Sequence, residues 1–408
     1  MTHLSWNTLD VFTHLLINFT AYFLFLTILG AENYANFIFI SLICGVGQSL
    51  AKLGQNDYLI VTKKLSESTI SGIFTLNILF AIIISTILFL IFFLIFTFST
   101  KSDIFMLSAI LMSISVFLSI SSNTFLAFLQ KRQEFKKLFL INISSSLSSV
   151  LITYILSEYI EEVFYPIIFA LGTSISLFVL LAFSKLFKLN LSKLNLINFF
   201  NAAKTFMIPL TKTRPILVAT KNIDVFLVMF IGGDLLLVAY NTLKKLLIYP
   251  LTILYGILDR WLYPLMAKLE DRSEVNSTYF KVLKNLFLVS CATSLIIIAL
   301  INFFNASIIN YFSSIGVSNI NVMTLCYGFI LSWPILSTPT LIYPYAKVIK
   351  KTHLLPSISI FQALVIFFSF LFIYFINNHD LLTFGYLTAF LLMNIYIIAR
   401  FKFISLKR

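Results

Sequence analysis

Charge is scarce in this sequence. Only 11% of its 408 residues are Asp, Glu, Lys or Arg, whereas 59% are hydrophobic and Phe alone occurs 45 times. So little polar surface cannot cover a water-soluble globule of this size, which excludes a soluble enzyme. Cysteine is scarcer still: Cys44, Cys291 and Cys326 are the three. Each lies inside an apolar stretch, where it reads as a small packing residue rather than a disulfide partner or metal ligand. No segment between apolar stretches is long enough for a folded domain, so catalysis on a soluble substrate has no obvious home. Also lacking is a basic N-terminal region with a small-residue cleavage site, and the first apolar stretch therefore reads as a retained helix, not a signal peptide.

What is present is apolar length. Hydrocarbon about 30 Å thick needs about 20 apolar residues per helical crossing. Twelve such stretches follow one another: 8–29, 34–52, 69–96, 104–129, 138–157, 163–185, 206–231, 235–258, 282–302, 320–345, 354–376 and 381–399. They predict an all-α polytopic membrane protein of about 12 transmembrane helices, in contact with membrane lipid. With the N-terminus inside, the inner segments hold 23 of the 29 Lys and Arg, while the outer loops hold Lys101 and an acidic group, Glu158, Glu161 and Glu162. The positive-inside rule then places both termini in the cytoplasm. The formal charge of +13 is a topology signal, and no nucleic-acid partner is expected because no basic soluble domain exists to hold one.

The two halves resemble each other. "ILGAENYANFIFI" from residue 28 joins helices one and two, and "FIGGDLLLVAYNT" from residue 230 joins helices seven and eight. "KKLSE" (63–67) and "AKLED" (267–271) follow helices two and eight, again about 204 residues apart. Matching landmarks at one spacing predict six helices repeated in parallel, forming two six-helix lobes around a central cavity. The expected division is an N-terminal lobe over 1–190, a cytoplasmic connector over 191–205 and a C-terminal lobe over 206–408. Pro209, Pro215, Pro250, Pro334, Pro339 and Pro344 sit in or beside helices seven, eight and ten, whereas helices one to five have no proline. Each removes a backbone hydrogen bond and can kink its helix where the freed carbonyl meets protein or water.

A few charges interrupt the apolar helices. In "KTRPILVATKNID" (212–224), counting inward from Gly232 places Asp224 about 12 Å deep, Lys221 about 16 Å and Arg214 about 27 Å. In "AYNTLKKLLIYP" (239–250), Lys244 and Lys245 fall about 14 to 15 Å down, level with Lys221. A lysine facing lipid at mid-depth costs roughly 2.5 to 3.5 kcal/mol, so three of them predict a polar cavity. Arg214 and Lys221, seven residues apart, share a helix face, Lys221 can pair with Asp224 at the i, i+3 spacing, and only one of Lys244 and Lys245 faces the same way. Asp10 and His14, at i, i+4 in the first helix, join Gln48 and Lys52 of the second as candidates for cavity lining, and Asp10, His14 and Asp224 for proton coupling. The surplus of cations points to an anionic cargo, with Arg214, Lys221, Lys244 and Lys245 as the candidate binding residues. No metal site is expected.

"LGAENYANFIFISLICGVGQSLAKLGQNDYLIVTKKLSESTISGIFTLNILF" (29–80) and "NIDVFLVMFIGGDLLLVAYNTLKKLLIYPLTILYGILDRWLYPLMAKLEDRSEVNSTYFKVLKNLF" (222–287) resemble the corresponding regions of bacterial polysaccharide flippases of the O-antigen (Wzx) type. These share a superfamily with the multidrug and toxin extruders and the lipid II flippases. The resemblance implies translocation of an undecaprenyl-pyrophosphate-linked oligosaccharide, an O-antigen or capsule repeat unit, across the bacterial inner membrane by alternating access of two lobes. It implies no catalytic residues and no bound cofactor, with a proton or sodium gradient as the candidate energy source and a polysaccharide polymerase and chain-length regulator as candidate partners. Twelve helices rather than fourteen set the chain apart from the lipid II flippases, and a cationic rather than acidic cavity sets it apart from the drug extruders. The alternatives are a drug or metabolite exporter on the same fold and a membrane polysaccharide polymerase, which would need a larger outer loop than this chain has.

Overall fold

The computed structural model describes residues 3–51, 59, 67–98, 103–183, 196–251, 266, 269, 271–317, 320–349, 354–376, 378 and 381–406. Hydrocarbon offers no hydrogen bonds to a backbone, so a chain this apolar must satisfy its amides internally, and helices do so residue by residue. Among the described residues the regular elements are all helical: α1 His3–Leu50, α2 Glu67–Phe98, α3 Asp103–Lys131, α4 Phe135–Leu156, a 3₁₀ turn at Glu162–Phe164, α5 Tyr165–Phe183, α6 Leu196–Leu247, α7 Arg272–Phe303, α8 Asn305–Ser314, α9 Val322–Leu331, α10 Trp333–Val348, α11 Leu355–Ile376 and α12 Leu382–Leu406. Nine stretches among them are long and apolar enough to cross a membrane. Their outward side chains are apolar too, Ile82, Ile83, Leu90, Phe230 and Leu295 being half or more exposed, which suits lipid and not water.

Two of these stretches are hairpins. In α1 the rings of Tyr22 and Tyr34 meet at 5.1 Å, although 12 residues of straight helix would hold them about 18 Å apart. The chain reverses at Gly30 (φ 69°, ψ 175°). Gly233 (φ 67°, ψ −165°) reverses α6 in the same way. Each hairpin supplies two crossings, and α9 with α10 forms another, which accounts for the twelve crossings read from the sequence.

Packing divides the chain into two compact units, Met1–Val218 and Ala219–Arg408. The predicted repeat is visible in how each is built. In the first, α2 packs on α3, α3 on α5 and α4 on α5; in the second, α7 packs on α9 and α10, these two on α12, and α11 on α12. The third and fourth, fourth and sixth, and fifth and sixth crossings are neighbours in both. In the N-terminal unit small polar residues bring helices close: Ser115 and Ser174 share a hydrogen bond at 2.8 Å, and Ser149 Oγ donates to the Phe169 carbonyl.

The tenth crossing breaks where proline interrupts it. Pro334 has no N–H for the Ile330 carbonyl, which accepts from the Ser332 N–H and shares the Ser294 hydroxyl of α7 at 3.2 Å with the Ser290 carbonyl, at 2.7 Å from that hydroxyl. Pro339 likewise frees the Ile335 carbonyl, which accepts from Asn394 Nδ2 of α12 at 2.8 Å. The expectation that a freed carbonyl faces protein is met twice, each time by a side chain from a neighbouring helix.

Gly233 needs its backbone angles, since an added Cβ there meets nothing, whereas a Cβ on Gly232 would fall inside the Leu236 side chain. Alanine at Gly233 should therefore cost about 1–3 kcal/mol in thermal unfolding, and Leu236→Ala should relieve Gly232→Ala while leaving the Gly233→Ala loss unchanged. Asn394→Ala should cost about 1–3 kcal/mol by stranding the Ile335 carbonyl, and clearly less in a Pro339→Ala background that restores the N–H. Equal losses in both backgrounds would refute the replacement.

Candidate functional site

The α6 hairpin creates a buried ion pair in the C-terminal unit. At 1.5 Å per residue from the corner at Gly233, Asp224 lies about 14 Å down one arm and Lys244 about 16 Å down the other. The reversal thus sets side by side two residues that are 20 apart in sequence. Lys244 Nζ donates to Asp224 Oδ2 at 2.5 Å. Tyr240 Oη, one turn nearer the corner, donates to the same oxygen at 2.9 Å.

Aromatic rings close over this pair. Tyr240 packs on Phe329 of α9 at 5.0 Å and on Phe370 of α11 at 6.2 Å between ring centres. Tyr386 of α12 lies 5.6 Å from Phe329, and Lys244 Nζ sits 5.9 Å from the centre of its ring, close enough for attraction between cation and ring face. The Asp224 side chain is 1% exposed and that of Lys244 8%, so the lysine is the outer member. The second carboxylate oxygen, Oδ1, is buried without a hydrogen-bond partner among the described residues.

Charge neutrality makes this arrangement tolerable. In a medium of low dielectric each ion is costly alone, while the hydrogen-bonded pair carries no net charge. The arrangement also breaks the repeat. Counting from the two corner glycines, Asp224, Tyr240 and Lys244 correspond to Ala21, Phe37 and Ser41 in the N-terminal half, none of which is ionisable.

Other candidate residues fall into place as follows. Lys221, expected as a partner for Asp224 along one helix face, has its side chain outside the described residues; the carboxylate bonds to Lys244 on the opposite arm, which the hairpin brings within reach. Arg214 and Lys221 lie on α6, but their side chains are outside the described residues, as is Lys52 altogether. Lys245, next to Lys244 in sequence, is half-buried. In the N-terminal unit Asp10, Thr13, His14, Asn142 and Ser146 line a narrow crevice between α1 and α4, where Asn142 Nδ2 donates to Asp10 Oδ1 at 2.9 Å. Gln48 is half-buried in the second arm of α1. The acids at 10 and 224 belong to different units. No group of three or more His, Cys, Asp or Glu that could hold a metal occurs among the described residues. Tyr240, Phe329, Tyr386 and Asn142 were not legible in the sequence, since rings and amides are frequent here and only tertiary packing selects these.

Removing one partner of the pair strands the other in a dry site, so Asp224→Asn and Lys244→Gln should each destabilise by about 3–5 kcal/mol. The double variant should lose less than either single variant in thermal unfolding of the purified protein; losses that simply add would show that the two charges are not coupled.

The profile of a family described as polysaccharide biosynthesis protein matches residues 27–306, which takes in both glycine corners and the ion pair. No curated protein matches the sequence. Among solved structures, the inward-facing conformation of a multidrug resistance MATE family transporter of the MOP superfamily aligns with a TM-score of 0.76 at 12% identity, over 97% of this chain and 95% of that one. A MOP superfamily transporter from Pyrococcus furiosus, described as having a binding pocket of reversed polarity that suggests a different function, aligns with a TM-score of 0.69 at 12% identity, over 100% and 96%. A Vibrio cholerae MATE transporter aligns with a TM-score of 0.66 at 13% identity, over 100% and 99%. At these identities the likeness establishes the fold alone: the all-helical fold that these transporters share.

Proposed function

We propose, from the premise that the chain belongs to the polysaccharide biosynthesis protein family, that it is a flippase for a polyprenyl-diphosphate-linked oligosaccharide in the bacterial inner membrane. The observation that carries the reading is the charge of α6, which between residues 212 and 245 holds Lys212, Arg214, Lys221, Lys244 and Lys245 against Asp224 and the corner residue Asp234. A diphosphate carries the opposite sign. Lysine and arginine bind it through charge-assisted hydrogen bonds, the sugars occupy a wet cavity, and the prenyl tail stays in lipid. Arg214, Lys221 and Lys245 are the residues assigned to the head group, with Lys244 held by Asp224 in the unloaded protein. Transport proceeds by alternating access of the two lobes, with both termini cytoplasmic.

The reversed pocket polarity described for the Pyrococcus furiosus transporter supports a cargo unlike that of a drug exporter on this fold. The likeness to a multidrug resistance transporter favours the second reading, export of another small molecule.

Deleting the gene in its host and profiling lipid-linked glycans by membrane face separates them. Repeat units should accumulate on the cytoplasmic face with loss of surface polysaccharide, and a Lys221→Ala variant that inserts normally should restore export only slowly. Intact surface glycan together with new drug sensitivity would overturn the flippase reading in favour of the second.

A further inference from the structure

We infer that the corner between α3 and α4 is a docking site for an anionic phospholipid, whose phosphate meets Arg132, Lys136 and Lys137 and whose acyl chains lie along α4. The site is distinct from the cationic span of α6 and does not depend on the cargo. On α4, Lys136, Leu140, Ser144, Leu147, Leu151 and Tyr154 are exposed and fall within a sector of about 80° around the helix. Ile141, Ser145 and Ser149, on the other side, are buried. A face of exposed leucines suits lipid tails. Lys136 and Tyr154 close its two ends about 27 Å apart along the axis, which is close to the roughly 30 Å of hydrocarbon in a bilayer. That spacing sets Lys136 at the level of one headgroup layer, with Tyr154 at the other as an interfacial aromatic.

The charges at this corner are held in place by their neighbours. Gln133, at φ 57°, turns the chain so tightly that only three residues separate α3 from α4. The Arg132 guanidinium lies 4.3 Å from the centre of the Phe128 ring, and Lys136 Nζ lies 5.7 Å from that of Trp6 in α1. Trp6 in turn packs on Phe139 at 5.6 Å. Glu134 is shared by Arg132 at 3.6 Å and Lys137 at 3.9 Å. Lys131 is engaged elsewhere, its Nζ donating to the Leu59 carbonyl at 3.0 Å. Asp10, one turn along α1 from Trp6, takes its hydrogen bond from Asn142. Arg132, Lys136 and Lys137 therefore stand against the single carboxylate of Glu134, and the surplus is positive. A phosphodiester has the opposite sign, and its oxygens accept charge-assisted hydrogen bonds from a guanidinium and two ammonium groups. A zwitterionic lipid brings its own cation, which the surplus repels, so the corner selects an anionic headgroup.

Native mass spectrometry of the purified full chain tests the site, with phosphatidylglycerol and phosphatidylcholine of equal chain length as probes. The wild type should retain phosphatidylglycerol well above phosphatidylcholine. Lys136→Gln should lower the affinity for phosphatidylglycerol about fivefold, and Arg132→Gln/Lys136→Gln/Lys137→Gln on the order of a hundredfold. Where the triple variant fails to fold, the single variant at an exposed position still decides. Lys136→Arg keeps the charge and should bind as the wild type does. Lys281→Gln/Lys284→Gln removes two exposed charges from α7 and should change nothing. Equal retention of the two lipids, or equal weakening by the α7 pair, would overturn the site and leave only general surface charge. Soluble glycerol 3-phosphate binding as tightly as phosphatidylglycerol would assign the corner to a free anion, and displacement of phosphatidylglycerol by equimolar farnesyl diphosphate would assign it to the cargo; either result overturns phospholipid docking. None of these outcomes bears on whether the chain exports a glycan, which the gene deletion decides separately.

Discussion

The hydrogen-bonded pair of Lys244 and Asp224 ties together most of what distinguishes the C-terminal unit. It joins the two arms of the α6 hairpin, takes a second hydrogen bond from Tyr240, and is enclosed by rings from α9, α11 and α12. In water such a pair would contribute little. Behind aromatic rings it cannot lose one member without stranding the other, so the helices that enclose it and the corner that aligns it depend on one another. The glycine corner is what makes the pair possible, because only a backbone at positive φ turns the chain back within one residue.

The same scarcity of water governs the prolines. In a soluble helix a freed carbonyl turns to solvent, but at Pro334 and Pro339 a side chain from another helix reaches the freed carbonyl. A helix broken in this way is anchored at the break. Asn394 therefore acts as a substitute for backbone, and its worth lies in the carbonyl it satisfies.

The repeat shows where the two units have diverged. Both fold back at a glycine with nearly the same backbone angles, and both set their fourth and sixth crossings together. Architecture is thus shared. Chemistry is not, since the positions of the ion pair in the second unit are Ala21, Phe37 and Ser41 in the first, where the polar groups gather instead as Asp10, His14 and Asn142 between α1 and α4. The charges lie where the two copies differ, as expected if the common scaffold serves stability and the departures serve cargo.

Much of this was legible beforehand. Composition and apolar run length determined a polytopic helical membrane protein, because hydrocarbon imposes one backbone solution and one length on every crossing. Spacing of the glycine-centred junctions determined the repeat, and proline positions marked where helix ten would need outside help. The mid-depth cations were visible as well, since they stand out against 59% hydrophobic residues. Their partners were not. Helical periodicity looks only three or four residues ahead and therefore offered Lys221 to Asp224, whereas the hairpin delivered Lys244 from 20 residues away and the rings from more than 100. Only the tertiary structure decided that Lys244 is neutralised, because a buried charge finds its partner by distance in space, and that distance is set by the turn at Gly233 and by the helices packed around it.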